Sequence, residues 1–368
     1  YATAVTALRR LTLLRPNDLG ARLDLAIAHA RMGDTTTARR QLRALQARSD
    51  VPAPIRAVIK AELERLDRPA APQWRFQPAL ELGLGHSTNI NNGTEAERIG
   101  LRIDDVPIEV EVADDSRARA DTFNAAAATA RWQRTGRWRP EISARVRREV
   151  HADLGAFDNT LASVGAGITG PTDGAGQWSL RGRYIHFKRR ADDTLRITRL
   201  GTRYEHRFSA ALSADAALDL RRDRYRDSTR NDGDVTRLRL GLGYRAGDWQ
   251  LGLRLARGRD AARGARAGGV QTSTAAELRA AARLGDGVQL RAGLQWRRET
   301  DAQPFSRTFF GNTRRETRET RLRLSAHWPL TRSLTAITRL THSDQTANLD
   351  LFDQRTTRAA IGLRWQPP

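Results

Sequence analysis

The chain has 368 residues, with 63 Lys plus Arg against 42 Asp plus Glu, a formal net charge of +21 and no cysteine. Disulfide and thiolate chemistry are excluded, and no apolar run reaches the length of about 18 residues that a membrane-spanning helix needs. A mean hydropathy of −0.60 does not exclude a membrane barrel, whose apolar half is hidden by alternation.

Taken in chain order, residues 1–66 read as helical. Ala4, Leu8, Leu11 and Leu14 recur at helical spacing before Arg15-Pro16-Asn17-Asp18 breaks the run. Further helices are predicted from about Leu19 to Arg31, Thr36 to Ala47 and Pro54 to Leu66, with Pro54 suited to a first helical turn. The segment Leu25 to Leu42 resembles a tetratricopeptide repeat. Ala26 and His29 stand on its first helix, Gly33-Asp34 at the turn, and Ala38 and Leu42 on its second. A generic helical hairpin is the competing reading. One such unit is too few for a stable solenoid, so further repeats are expected upstream, or docking of the helices on the next domain. His29 has no second ligand near it in sequence and is assigned to packing. Residues 67–73 (D-R-P-A-A-P-Q) are expected to be a semi-rigid Pro-rich linker and the domain boundary.

From residue 74 to 368 the pattern changes to period two. In Val235–Leu255, Leu238, Leu240, Leu242 and Tyr244 take one parity and Arg237, Arg239 and Arg245 the other. A turn at Ala246-Gly247-Asp248 follows, and then Trp249, Leu251, Leu253 and Leu255 alternate with Gln250, Gly252 and Arg254. Repeated along the chain, the unit makes about 14 strands, joined alternately by short turns and longer polar loops. Among the long connections are 88–118, 189–193, 260–270, 300–313 and 344–354. The predicted fold class is therefore N-terminal helical hairpins followed by a closed antiparallel transmembrane β-barrel. Closure is expected because an open edge in lipid leaves backbone groups unpaired, at several kcal/mol each. An even strand count puts both barrel ends on the short-turn side, so the helical part is expected in the periplasm and the barrel in the outer membrane. An export signal is expected upstream of Tyr1.

The apolar parity is expected to face lipid, with Trp138, Trp178, Trp249, Trp296, Trp328 and Trp365 at the interfaces. The candidate lumen face holds Arg145, Arg147, Arg237, Arg239, Arg254, Arg291, Arg321 and Arg323. Spread along strands instead of gathered in a patch, this charge argues against nucleic acid. Two readings stay open for it: a solvated strand face, or a lumen that attracts anionic cargo or lipopolysaccharide.

Other chemistry is weakly represented. His342-Ser343-Asp344 has the residue types of a nucleophile-and-base cluster, but neighbours on a strand point to opposite faces. Asp104-Asp105 and Asp114-Asp115 offer oxygen ligands for a divalent cation, with a solvated acidic loop as the alternative. The glycine-rich pieces precede no helix and are strand glycines, not phosphate cradles. No enzyme activity, catalytic group, metal or cofactor is predicted.

The first strand ends in S-T-N-I-N-N, Ser87 to Asn92. Directly behind a tetratricopeptide-like segment and a short linker, this resembles the surface lipoprotein assembly modulator (Slam) family, whose members join a periplasmic repeat domain to a 14-stranded barrel. The C-terminal stretch from Leu349 to Trp365 is similar in kind and ends close to an aromatic, as the barrel assembly machinery reads it, although Gln366-Pro367-Pro368 follow. The resemblance implies translocation of a partner protein, a surface lipoprotein or secreted protein, across the outer membrane, and a monomer in contact with lipid and lipopolysaccharide is expected. The alternative is a passive porin or exopolysaccharide export channel with a periplasmic repeat domain. Asn89, Asn91 and Asn92 are candidate loop or gate residues, either capping a turn or touching cargo. A gate needs a weak seam, expected between Phe76–His86 and Thr357–Trp365.

Overall fold

The computed structural model describes all residues except 1, 33, 68–72, 104–105, 173–174, 190–192 and 368. Most of the expected linker, Gly33 of the expected turn and the Asp104-Asp105 pair therefore lie outside the described residues. The chain divides into two compact units, Tyr1–Pro72 and Gln73–Pro368.

The first unit holds α1 (Ala2–Leu14), α2 (Leu19–Arg31), α3 (Thr35–Gln46) and α4 (Ala53–Asp67). Two aspartates start its helices. Asp18 accepts a hydrogen bond from Ala21 N at 2.9 Å and Asp34 from Thr37 N at 3.1 Å, each satisfying an otherwise orphan amide. Ala26, Leu42 and Ile59, from three successive helices, are fully buried and meet Leu23, Leu45 and Leu63 in one apolar cluster. Ala26 is small enough to let α3 approach. His29 is buried, with Nδ1 3.3 Å from an Asp34 carboxylate oxygen. Asp34 thus caps α3 and ties it to the end of α2.

The second unit is a closed barrel of fourteen antiparallel strands, as the alternation predicts. They are β1 (Trp74–Ser87), β4 (Asp121–Arg134), β5 (Arg139–His151), β6 (Asn159–Pro171), β7 (Gly176–Arg189), β8 (Asp193–Arg207) and β9 (Leu212–Tyr225). The rest are β10 (Gly233–Ala246), β11 (Trp249–Ala262), β12 (Gln271–Arg283), β13 (Gln289–Asp301), β14 (Glu316–Pro329), β15 (Leu334–Ala347) and β16 (Gln354–Trp365). Each strand pairs with its neighbours in sequence, and β1 closes the ring on β16. The hairpin β2 (Arg98–Ile103) and β3 (Val106–Glu111) stands apart from the barrel as a second sheet. It occupies the middle of the first long connection, which reads as a plain polar loop in sequence. Residues 190–192, within one expected long connection, lie outside the described residues.

One parity of each strand exposes its apolar side chains: Leu80, Leu82 and Leu84; Ile142 and Val146; Leu238, Leu240 and Leu242; Leu251, Leu253 and Leu255. In an aqueous protein such a band would be buried; in a bilayer it is the contact surface. Trp74 opens β1, Trp249 opens β11, and Trp132, Trp328 and Trp365 lie at or near the ends of β4, β14 and β16. All five stand at the short-turn end, where Trp138 and Trp178 also meet edge to face at 5.4 Å. Trp296 differs from expectation, since it sits in the middle of β13. At Gly247 the backbone takes φ +55°, the conformation that lets a two-residue hairpin join β10 to β11 without splaying them.

Candidate passage and seam

The polar parity faces the inside of the ring, because its ion pairs reach across intervening strands, which only converging side chains can do. Arg339 on β15 meets Glu81 on β1 at 2.6 Å, past β16. Arg358 on β16 meets Glu149 on β5 at 2.6 Å, past β1 and β4. Arg181 on β7 meets Glu141 on β5 at 3.3 Å, past β6.

The eight candidate arginines all belong to this parity, but their settings differ. Arg147 pairs with Glu149 at 2.6 Å, Arg239 with Asp219 at 2.5 Å, and Arg321 with Glu319. Arg323 lies 3.7 Å from Glu277 and donates to Gln295 at 3.2 Å, and Arg291 donates to Gln289 at 3.1 Å. Arg145, Arg237 and Arg254 have no side-chain partner among the described residues.

Ring closure at β1 and β16 is the shortest pairing in the barrel. Its register runs only from Leu80↔Trp365 to Ser87↔Arg358, whereas β1 pairs with β4 from Trp74 to Ser87. The inward positions along it are Glu81↔Arg364, Gly83↔Gly362, Gly85↔Ala360 and Ser87↔Arg358. On the lumen side the middle therefore has almost no side chain to interlock, while Leu82↔Leu363 and Leu84↔Ile361 face each other on the outside. A Cβ on Gly83 would lie 2.8 Å from Ile361 O, and one on Gly362 would lie 2.6 Å from Leu82 O. Glycine is required here by the close backbone approach.

Ionic contacts hold both ends of this bare seam. Glu81 accepts from Arg339 at 2.6 Å and from Arg364 at 2.7 and 3.1 Å. Arg358 binds Glu149 and lies over the Phe123 ring, 3.7 Å from its centroid. Glu81, Phe123, Arg358 and Arg364 border a cavity of about 330 Å³ that also includes Arg145, Arg147 and Arg339. Sequence reasoning missed Glu81, Glu149, Arg339, Arg358 and Arg364. The available signal was a carboxylate on the polar parity of β1, opposite Leu80 and Leu82, but its partners are far away in sequence.

The three candidate asparagines brace the loop just beyond the seam. Asn89 is buried; its amide donates to Gly93 O and its oxygen accepts from Gly93 N, both at 2.9 Å. Asn91 donates to Arg117 O at 2.6 Å and accepts from Arg119 N at 3.0 Å. Asn92 adopts φ 54°, and its carbonyl accepts from Gln354 Nε2 at 2.8 Å. Thr94 Oγ1 donates to Asp350 O, and Glu95 N to Asp353 O, both at 2.9 Å. The first and last long connections are thus stitched over the β1–β16 closure. Burial pushes the carboxyl of Asp353 above its ordinary range, with Asp350 and Asp344 adding to it against the Ala347 amide.

His342 and Ser343 point apart. His342 Nδ1 lies 2.9 Å from Thr357 Oγ1, and Ser343 Oγ donates to Glu319 at 2.6 Å. The carboxylate of Asp114 is exposed, 3.9 Å from Arg117, while Asp115 O accepts from Asn91. Among the described residues no group of three or more His, Asp or Glu converges on a possible metal position.

No family model matches the sequence, and no curated protein does. Solved structures similar to the chain include the outer-membrane channel DcaP of Acinetobacter baumannii, at 5% identity and TM-score 0.46, covering 81% of this chain and 98% of that one. An anion-selective porin from Comamonas acidovorans matches at 11% identity and TM-score 0.42, covering 80% and 100%. A loop-deletion mutant of OmpT, an outer membrane protein of Vibrio cholerae, matches at 12% identity and TM-score 0.39, covering 81% and 100%. The expectation of a non-enzyme is withdrawn: likenesses at 12% identity or less bear on the fold alone and decide nothing about activity. The coarser description holds: a closed antiparallel barrel of fourteen strands that resembles outer-membrane proteins, with channels and porins among them.

Proposed function

We propose that this chain moves a partner protein, a surface lipoprotein or a secreted protein, across the outer membrane, as the resemblance to the Slam family implies. In this reading the helical unit lies in the periplasm and receives cargo, and the barrel gives passage along the β1–β16 seam. The observation that carries it is the seam itself: the shortest strand pairing, bare of interlocking side chains at Gly83 and Gly362, and held shut by ionic contacts at its ends. Opening it breaks fewer ladder hydrogen bonds than opening any other strand pair.

The chain has no cysteine, so a single engineered disulfide tests the reading cleanly. Leu82 and Leu363 are register partners on the lipid face. The double variant L82C/L363C is expected to block surface exposure of co-encoded secreted proteins and lipoproteins when oxidised, and to restore it when reduced, as read by protease shaving of intact cells. Full surface exposure with the disulfide formed would sink passage through the seam. If deleting the gene moves no candidate cargo, and the purified chain conducts ions in a planar bilayer, the channel alternative takes over.

A further inference from the structure

The inward arginines and carboxylates are not matched evenly around the ring. Arg183 on β7 is the register partner of Arg199 on β8, and Arg199 is the partner of Arg221 on β9. All three stand on the lumen parity, opposite the exposed Tyr184, Leu200 and Leu220. Directly opposed residues on antiparallel strands have Cβ atoms about 4.5–5.5 Å apart, and like charges so placed repel. Arg237 on β10 joins the row, within electrostatic reach of Arg221 and Arg297.

The nearby carboxylates are each held by one other arginine, although Asp219 Oδ2 and Asp223 Oδ1 keep no hydrogen-bond partner. Asp223 pairs with Arg221 at 2.8 Å, Asp219 with Arg239 at 2.5 Å, and Glu299 with Arg297. Among the described residues Arg183, Arg199 and Arg237 have no side-chain hydrogen bond or ion pair. Arg221 Nε is a buried donor without an acceptor, although Asp223 Oδ1 beside it is also unmatched. Buried donors left open cost stability. The row lies opposite the seam, since β10 is equally far from β1 in both directions around the barrel.

We infer that the row of Arg183, Arg199, Arg221 and Arg237 is a binding site for a soluble, multiply charged oxyanion of the phosphate type. Guanidinium forks bind such oxygens in bidentate fashion, and one doubly charged group set between two forks relieves their repulsion. The guanidinium groups face the lumen, which favours a phosphate borne on a water-soluble species over one borne on a lipid outside the wall. The inference does not depend on the seam: the oxidised L82C/L363C variant is expected to bind the anion unchanged.

The test uses the full chain in detergent, free of lipopolysaccharide, titrated with inorganic pyrophosphate by calorimetry. Binding is expected, and it weakens about tenfold or more in R199Q and separately in R183Q, the scale of one lost charge-assisted contact. R199Q is also expected to raise the melting temperature of the ligand-free chain, because it removes a like charge from the row, whereas a structural arginine would lower it. Equal affinity in wild type and R199Q would overturn the site. So would binding that appears only when lipopolysaccharide is added back, or a lower melting temperature for ligand-free R199Q. An R199Q chain that does not fold counts as the structural outcome and overturns the site as a lower melting temperature does.

Discussion

Glu81 shows how one side chain sets the strength of a whole strand pair. It is the inward carboxylate of the closing strand, only 18% exposed, and it binds one guanidinium on β16 and another on β15. Its contacts bypass the backbone ladder and hold β1 to two strands at once. Replacing it by glutamine removes the charge and keeps the shape. Charge-assisted hydrogen bonds are worth about 1.5–3 kcal/mol, so E81Q is expected to speed amide exchange across residues 80–87 and 358–365 by about tenfold or more, leaving β10 and β11 unchanged. Equal protection in the variant and the wild type would show that the ladder alone holds the seam.

At the scale of the element, the helices and the strands answer to different forces. The hairpin α2–α3 depends on Asp34, which caps α3 and lies beside buried His29. Its carboxyl is held below the ordinary range, first by the Thr37 amide, then by the Thr37 hydroxyl, with His29 adding in the same direction. The folded value is therefore depressed. The stability Asp34 contributes is present above the unfolded carboxylate value of about 4 and is lost as the pH falls through the lower folded value. Helical circular dichroism of the full chain is expected to fall on acidification below about pH 4, and D34N, which keeps a capping oxygen, is expected to flatten that part of the profile. An identical acid profile for D34N would assign the transition to other carboxylates.

For the molecule as a whole, closure is the event that counts, and it rests on how near β1 and β16 can come. Because the first atoms that a Cβ on Gly362 would meet are backbone, Leu82 O and Gly83 Cα, no flexible side chain can give way. Overpacking of this kind costs about 1–3 kcal/mol. G362V is expected to lower the melting temperature of the barrel and to raise exchange along the seam. G100A, in the hairpin apart from the barrel with open space around its Cβ position, is expected to change neither. A wedge variant as stable as the wild type would mean that the seam already adapts to wider spacings. The same closeness explains how a short pairing can complete the ring: the backbones approach where the lumen side has only Gly83 and Gly362, and the ionic contacts at each end hold them in place.

Alternation along Val235–Leu255 and its repeats was enough to determine the barrel and the parity that carries its apolar side chains, since period two and the cost of open edges in lipid leave little choice. Helical spacing in Ala4–Leu66 likewise determined the four helices, since their buried stripe is written in consecutive turns. The partners of the arginines were not legible. Arg339 and Glu81 are 258 positions apart and Arg358 and Glu149 are 209, and nothing local says which inward charge meets which. The hairpin β2–β3 was missed for another reason: its strands have only six residues each, too few for the alternation to stand out inside a polar connection. Asn89 and Asn91 were legible as turn formers, but their actual partners, Gly93 and the backbone of residues 115–119, depend on how the loop folds back. A local period sets which face a side chain takes, and only ring closure decides what it meets across the lumen.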